Sequence, residues 1–107
     1  MIEGSRYEDI IASIVGTAAF KVAGVASLSA VPGVRGKSQR RSPKSVLVTL
    51  DADDTARIDI YLNAFSGVSV SDLAYDIQQI VSSEVQSATR FKVKAVNVNV
   101  MGIVFNQ

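Results

Sequence analysis

In the stretch Arg57-Ile58-Asp59-Ile60-Tyr61-Leu62-Asn63-Ala64-Phe65, apolar and polar side chains alternate from Arg57 to Asn63. A period of two belongs to a β-strand with one covered face, here Ile58, Ile60 and Leu62, opposite Asp59, Tyr61 and Asn63. Just upstream, Ser45–Leu50 alternates again and puts Val46, Val48 and Leu50 on one face. The segment between them, Asp51-Ala52-Asp53-Asp54-Thr55, has the composition of a turn, because Asp side chains bond locally to the backbone. Two alternating runs joined by a turn read as a β-hairpin.

Downstream, Ser66-Gly67 breaks the chain and Ser69 caps a helix, with Asp72 at its third position. Val70, Leu73, Ala74, Ile77, Val81, Val85 and Ala88 form the covered stripe of that helix, and Gln78, Gln79, Ser82, Ser83 and Gln86 its wet side. Arg90 and Lys92 are placed to complement the negative end of the helix dipole. A last strand, Val93–Met101, points Val96, Val98 and Val100 inward and Asn97 and Asn99 outward.

At the other end, Ser5-Arg6-Tyr7-Glu8 fits a capping box, from which a helix should run to about Val25 or Leu28. Its apolar positions are broad, and only Asp9, Ser13, Thr17 and Lys21 trace a polar stripe at i,i+4 spacing. Such a helix must be covered on most of its circumference. Gly24 is a candidate stop.

These elements predict one α+β domain over residues 1–107, in the order α-β-β-α-β. The expected architecture is a two-layer α/β sandwich, a three-stranded, mainly antiparallel sheet with both helices on its Val/Ile/Leu face. A crossover helix after a hairpin can set the third strand parallel to the second. Placement beside the first strand makes the sheet antiparallel throughout, and that arrangement is expected here. The second sheet face then carries Leu47, Thr49, Asp59, Tyr61, Asn63, Asn97, Asn99 and Met101. It is either simply solvated, as antiparallel sheets allow, or a docking surface with Tyr61 as its anchor, aromatic residues being favoured at interface centres.

Composition narrows the chemistry. With no His and no Cys, the common nucleophile–base pairs, thiol chemistry, disulfides and zinc ribbons cannot be built. The cluster Asp51, Asp53 and Asp54 lies in a wet turn, lacks the calcium-loop spacing, and reads as turn chemistry rather than a metal site. Gly36-Lys37-Ser38 ends like a phosphate loop, but Val31 stands where that motif needs its first Gly, and no strand precedes it. Neither a catalytic residue, a cofactor nor a metal is expected.

The segment Val31–Lys44 holds both prolines and reads as a flexible loop, with five cations within ten residues: Arg35, Lys37, Arg40, Arg41 and Lys44. It could meet nucleic-acid phosphates, anionic lipid or an acidic protein partner, or serve only to keep the protein soluble. The tentative partner-binding set is therefore Arg35, Lys37, Arg40, Arg41 and Lys44 together with Tyr61, Asn63, Asn97 and Asn99. Glu3, Glu8 and Asp9 against Arg6 give the start of the chain the wrong sign for a signal peptide, and no apolar run reaches the ~20 residues of a bilayer span. The expected location is cytoplasmic, with any membrane contact indirect.

Three segments in this order resemble the bacterial alkaline shock protein (envelope stress response) family. Ala18-Ala19-Phe20-Lys21-Val22-Ala23-Gly24-Val25-Ala26-Ser27-Leu28 is similar to that family's Ala pair leading to Gly-Val-Ala. Ile58-Asp59-Ile60-Tyr61-Leu62, Gly67-Val68-Ser69-Val70 and Gln78-Gln79-Ile80-Val81 resemble its strand, its helix start and its Gln-x-x-Val helix. Val96 to Phe105 resembles its terminal strand. The basic loop is richer in Arg than the family pattern. The resemblance implies a non-enzymatic, self-associating scaffold of the stressed envelope, held at the cytoplasmic membrane face by a small membrane-anchored protein partner. The alternative on the residues themselves is a small nucleic-acid-binding module using the basic loop.

Overall fold

A computed structural model describes residues 3–32 and 44–105. The elements are α1 (Glu3–Ala19), β1 (Val25–Leu28), β2 (Val46–Leu50), β3 (Thr55–Phe65), α2 (Val70–Ala88) and β4 (Lys92–Val104). The architecture is two-layer α+β, an open sheet under two helices, with β3 as its axis. Ala56, Ile58, Ile60, Leu62 and Ala64 are all fully buried, while the residues between them are not, so the alternation in the sequence is the alternation of the fold. Ile11, Val15, Ala18 and Ala19 of α1 and Leu73, Ile77, Val81 and Val85 of α2 close over that face. Each fully buried branched side chain contributes roughly 1.5–3 kcal/mol by leaving water.

The order is α-β-β-β-α-β rather than the expected α-β-β-α-β, because a fourth strand replaces the end of the first helix. α1 stops at Ala19, the chain turns through Lys21 N–H to Ala18 C=O and Val22 N–H to Ala19 C=O, and Val25–Leu28 pairs antiparallel with β3. The physical reason lies in β3, whose eleven residues outrun the five of β2. β2 covers Ala56 to Ile60 and leaves the edge at Leu62 to Ala64 unpaired, and β1 satisfies it. Ser5 lies inside α1, so it is not the helix cap.

The sheet is mainly antiparallel as expected, since β1 and β2 both pair antiparallel with β3. The placement of the last strand is corrected: β4 runs parallel to β3, from Thr55↔Lys92 to Phe65↔Val104. One edge of β3 is filled by β2 and β1. The other edge offers β4 eleven partners, where the outer edge of β2 offers five at most. The crossover is α2, nineteen residues long, which returns the chain from the far end of β3 to its start. The Ser69 cap is present, its hydroxyl accepting from Asp72 N–H at 3.3 Å.

Arg90 follows Thr89, the C-cap of α2. α2 has no basic residue in its last turn, and the Arg90 guanidinium lies 5.0 Å from the Tyr7 ring centroid and 4.9 Å from that of Phe91. It also reaches Asp54 at 3.7 Å, tying the start of α1, the β2–β3 turn and the α2–β4 connection together.

Candidate partner-binding face

Both helices lie on one side of the sheet, so the other side carries the odd-numbered residues of β3 with their neighbours. Asp59 pairs with Asn97 and Tyr61 with Asn99 across β3 and β4. Leu47 flanks Asp59 and Thr49 flanks Arg57 from β2. Tyr61, Asn63 and Asn99 are half-buried, and Asn97 is exposed. The Asn99 amide donates to Ile60 C=O at 3.3 Å, and the Asn63 amide donates to the Ser27 hydroxyl at 3.0 Å. These bonds hold the amides flat against the strands.

A bulge lies between Leu62 and Asn63, so Asn63 faces Gly102 rather than Met101. A Cβ on Gly102 would sit 3.0 Å from the Asn63 Oδ1, so glycine makes the room in which Asn63 lies. Beyond it the surface turns apolar. Val104 pairs with Phe65 on this face, and Met101 at the bulge and Phe105 past the strand end are exposed.

Tyr61 marks the point where the edge of β3 changes partners. Its N–H donates to Ser45 C=O at 2.9 Å, and its C=O accepts from Ser29 N–H at 2.8 Å. The chain leaves the sheet after Ser29 and returns at Ser45, and Val31 N–H closes the base by donating to Lys44 C=O at 2.8 Å. Both ends of the basic segment therefore meet the sheet at Tyr61. Lys44 is exposed beside this base, and Arg35, Lys37, Arg40 and Arg41 lie outside the described residues. The fold thus brings Tyr61, Asn63, Asn97, Asn99 and Lys44 of the expected set into one region.

Ser27 was missed by the sequence reading, which placed it on a helix. Val25-Ala26-Ser27-Leu28 does not alternate, because the bulge between Val25 and Ser27 puts Val25 and Leu28 on one face, so the period alone could not have found it. The acidic turn is built from its own bonds, Asp51 N–H to Thr55 C=O at 2.9 Å and the Thr55 hydroxyl to Asp53 Oδ1 at 2.7 Å. That hydroxyl stabilises the Asp53 carboxylate and holds its pKa below the ordinary value of 3.8. Asp51 bonds Arg57 at 3.3 Å. The face thus offers two amides fixed by hydrogen bonds, a third amide, a phenol and a few charges.

This two-layer arrangement is shared with solved structures of the MamM CTD. One variant has a TM-score of 0.62 at 11% identity, covering 97% of this chain and 100% of that one. A zinc form has 0.61 at 11%, covering 92% and 88%. At such identity the likeness is one of fold. The particular family is fixed by sequence: residues 5–105 match the alkaline shock protein family, whose function is cell envelope-related. The chain belongs to that family. It is 31% identical over 101 residues to uncharacterized protein YqhY of Bacillus subtilis, spanning 92% of this chain and 74% of that protein. It is 30% identical over 95 residues to uncharacterized protein Spy1535 of Streptococcus pyogenes, spanning 89% and 74%. Among the described residues, no helix is long and apolar enough to cross a membrane.

Proposed function

We propose that this chain is a non-enzymatic scaffold of the envelope stress response, acting at the cytoplasmic membrane face through self-association and partner docking on the open face of its sheet. The observation that carries the reading is the sheet face opposite the helices, covered by no element among the described residues and centred on Tyr61, where the bonded amides of Asn63 and Asn99 lie beside the base of a five-cation segment. The family's envelope-related function supports it. An aromatic ring within a polar rim is the residue type that anchors interface centres. A membrane-anchored protein of small size is the expected partner, which makes membrane association indirect.

The test is sedimentation equilibrium of the full chain over a hundredfold concentration range, with Tyr61→Glu and Asn97→Arg beside the wild type. The reading expects concentration-dependent oligomers that both variants weaken while their melting temperatures stay close to wild type. A strict monomer at every concentration removes the self-association part. Loss of a co-purifying membrane protein from the same variants tests the docking part.

A second reading draws on the same juxtaposition. An aromatic side chain on a sheet beside a cationic segment is the arrangement used for single-stranded nucleic acid. It expects steeply salt-dependent binding, lost in the double variant Arg40→Glu, Arg41→Glu.

A further inference from the structure

Because β1 and β2 share one edge of β3, the sheet is three strands wide at the level of β2, about 14 Å, whereas two helices side by side span about 20 Å, so the sheet is one strand too narrow there. The mismatch falls beside β2. A groove of about 760 Å³ runs there, walled by α1 and floored by the consecutive residues Lys44 to Val48. The α1 wall carries the small side chains Ala12, Ser13, Gly16 and Thr17, which leave the space open.

Among the described residues, the floor is a strand edge without a partner. Asp51 N–H bonds Thr55 C=O and Tyr61 N–H bonds Ser45 C=O, which makes the odd-numbered residues of β2 the ones that turn toward β3. In an antiparallel pair the alternate residues turn their backbone groups the other way. Val46 and Val48 therefore direct N–H and C=O toward the groove, and among the described residues β2 pairs with β3 alone. Unpaired edge groups at the foot of a helix-walled groove are satisfied by one further extended strand.

The groove has chemically different ends. The Tyr7 and Phe91 rings meet edge to face with centroids 5.6 Å apart, which sets the start of α1 over the start of β4. Gly16 lies over Leu28 of β1, toward the other end. Glu8 and Asp9 consequently line one end, and Phe20, Leu28 and Lys44 the other.

We propose that this groove takes an extended peptide segment of a partner protein, about five residues or roughly 17 Å long, as an added strand on β2. Charge complementarity sets its chemistry: a Lys or Arg at the end lying against Glu8 and Asp9, and apolar residues at alternate positions toward Phe20 and Leu28. The groove shares Lys44 and Leu47 with the region around Tyr61, but its α1 wall lies on the opposite side of the sheet, so Ser13→Trp and Tyr61→Glu report on the two assignments separately.

The experiment pans a random heptapeptide display library against the full chain, with Ser13→Trp as the counter-target. Ser13 is exposed on α1, so the Trp side chain fills the groove without entering the core. The expected result is enrichment of peptides alternating in apolar residues with a basic residue at one end. Their affinity falls at least tenfold on Ser13→Trp at unchanged melting temperature and stays unchanged on Tyr61→Glu. Bound peptide also slows hydrogen exchange at the Val46 and Val48 amides at least tenfold. Asp9→Lys shifts the preference to peptides ending in an acidic residue. The proposal is overturned if no peptide is enriched over the counter-target, or if exchange at Val46 and Val48 is unaffected by the enriched peptides. It is equally overturned if Ser13→Trp dissociates an oligomer of the wild-type chain, since the occupant is then a second copy.

Discussion

The same substitution at two glycines of one segment should move stability in opposite directions. Gly16 lies within α1, and a Cβ built on it meets only Leu28 Cδ1, at the ordinary contact distance of 3.6 Å. Gly16→Ala is therefore expected to stabilise by roughly 0.5–1 kcal/mol through the lost flexibility of a helical glycine. Gly24 follows the helix, in the turn before β1. A Cβ there falls 2.9 Å from Val68 Cγ1, 3.3 Å from Val68 Cγ2 and 3.0 Å from Leu73 Cδ1. Both methyls of Val68 are in the way, so rotating that side chain exchanges one clash for another, and Leu73 is buried. Overpacking of this kind costs about 1–3 kcal/mol. For a chain of this size, a Tm rise of about 2–4 °C for Gly16→Ala and a fall of about 4–12 °C for Gly24→Ala follow. Thermal and urea denaturation followed by circular dichroism reads both. Had the helix continued to Leu28, Ala would favour it at both positions, so a Gly24→Ala variant as stable as or more stable than wild type refutes the strand assignment of Val25–Leu28.

Three further outcomes are expected. Ile77→Ala, at a fully buried position, should lose about 2–5 kcal/mol in urea titration, whereas Asn97→Ala on the open face should stay within about 0.5 kcal/mol. The Asp53 carboxylate, held below its ordinary pKa by the Thr55 hydroxyl, contributes stability that is complete above that ordinary value and is lost as pH falls through the lowered one. The stability gap between wild type and Thr55→Val should thus be steady from neutral pH downward and close only below about pH 3.8; a gap that widens on acidification contradicts the bond. Glu84→Gln, which breaks the 2.8 Å pair with exposed Lys21, should lose no more than about 1 kcal/mol, and high salt should erase the difference.

Much of the fold is written in local pattern. The alternation in β3 places the core face, and the 3.6-residue stripe of α2 does so through Leu73, Ile77, Val81 and Val85, while Val70 and Ala88 at its two ends are exposed. The same pattern also identifies the open face through Asp59, Tyr61, Asn63, Asn97 and Asn99. What it cannot supply is the demand one strand makes on another. Val25-Ala26-Ser27-Leu28 continues the apolar positions of α1 and reads as helix until the unpaired end of β3 is known. The direction of β4 likewise depends on which edge of β3 remains open, a question decided by β1. Both errors therefore have one origin. The meeting of the basic segment with Tyr61 was out of reach for the same reason, since it arises where β2 gives way to β1 along β3. The groove beside β2 depends on the relative widths of two layers and leaves no mark in any single element.

The most direct test of the scaffold reading is a photo-crosslinking amino acid at position 61 in the living host, compared with the same group at Ser83, an exposed position on α2. The account predicts that position 61 traps a second copy of the chain and an envelope protein, and that position 83 does not. Equal or lower yield at position 61 would contradict the assignment of the open sheet face as the working surface.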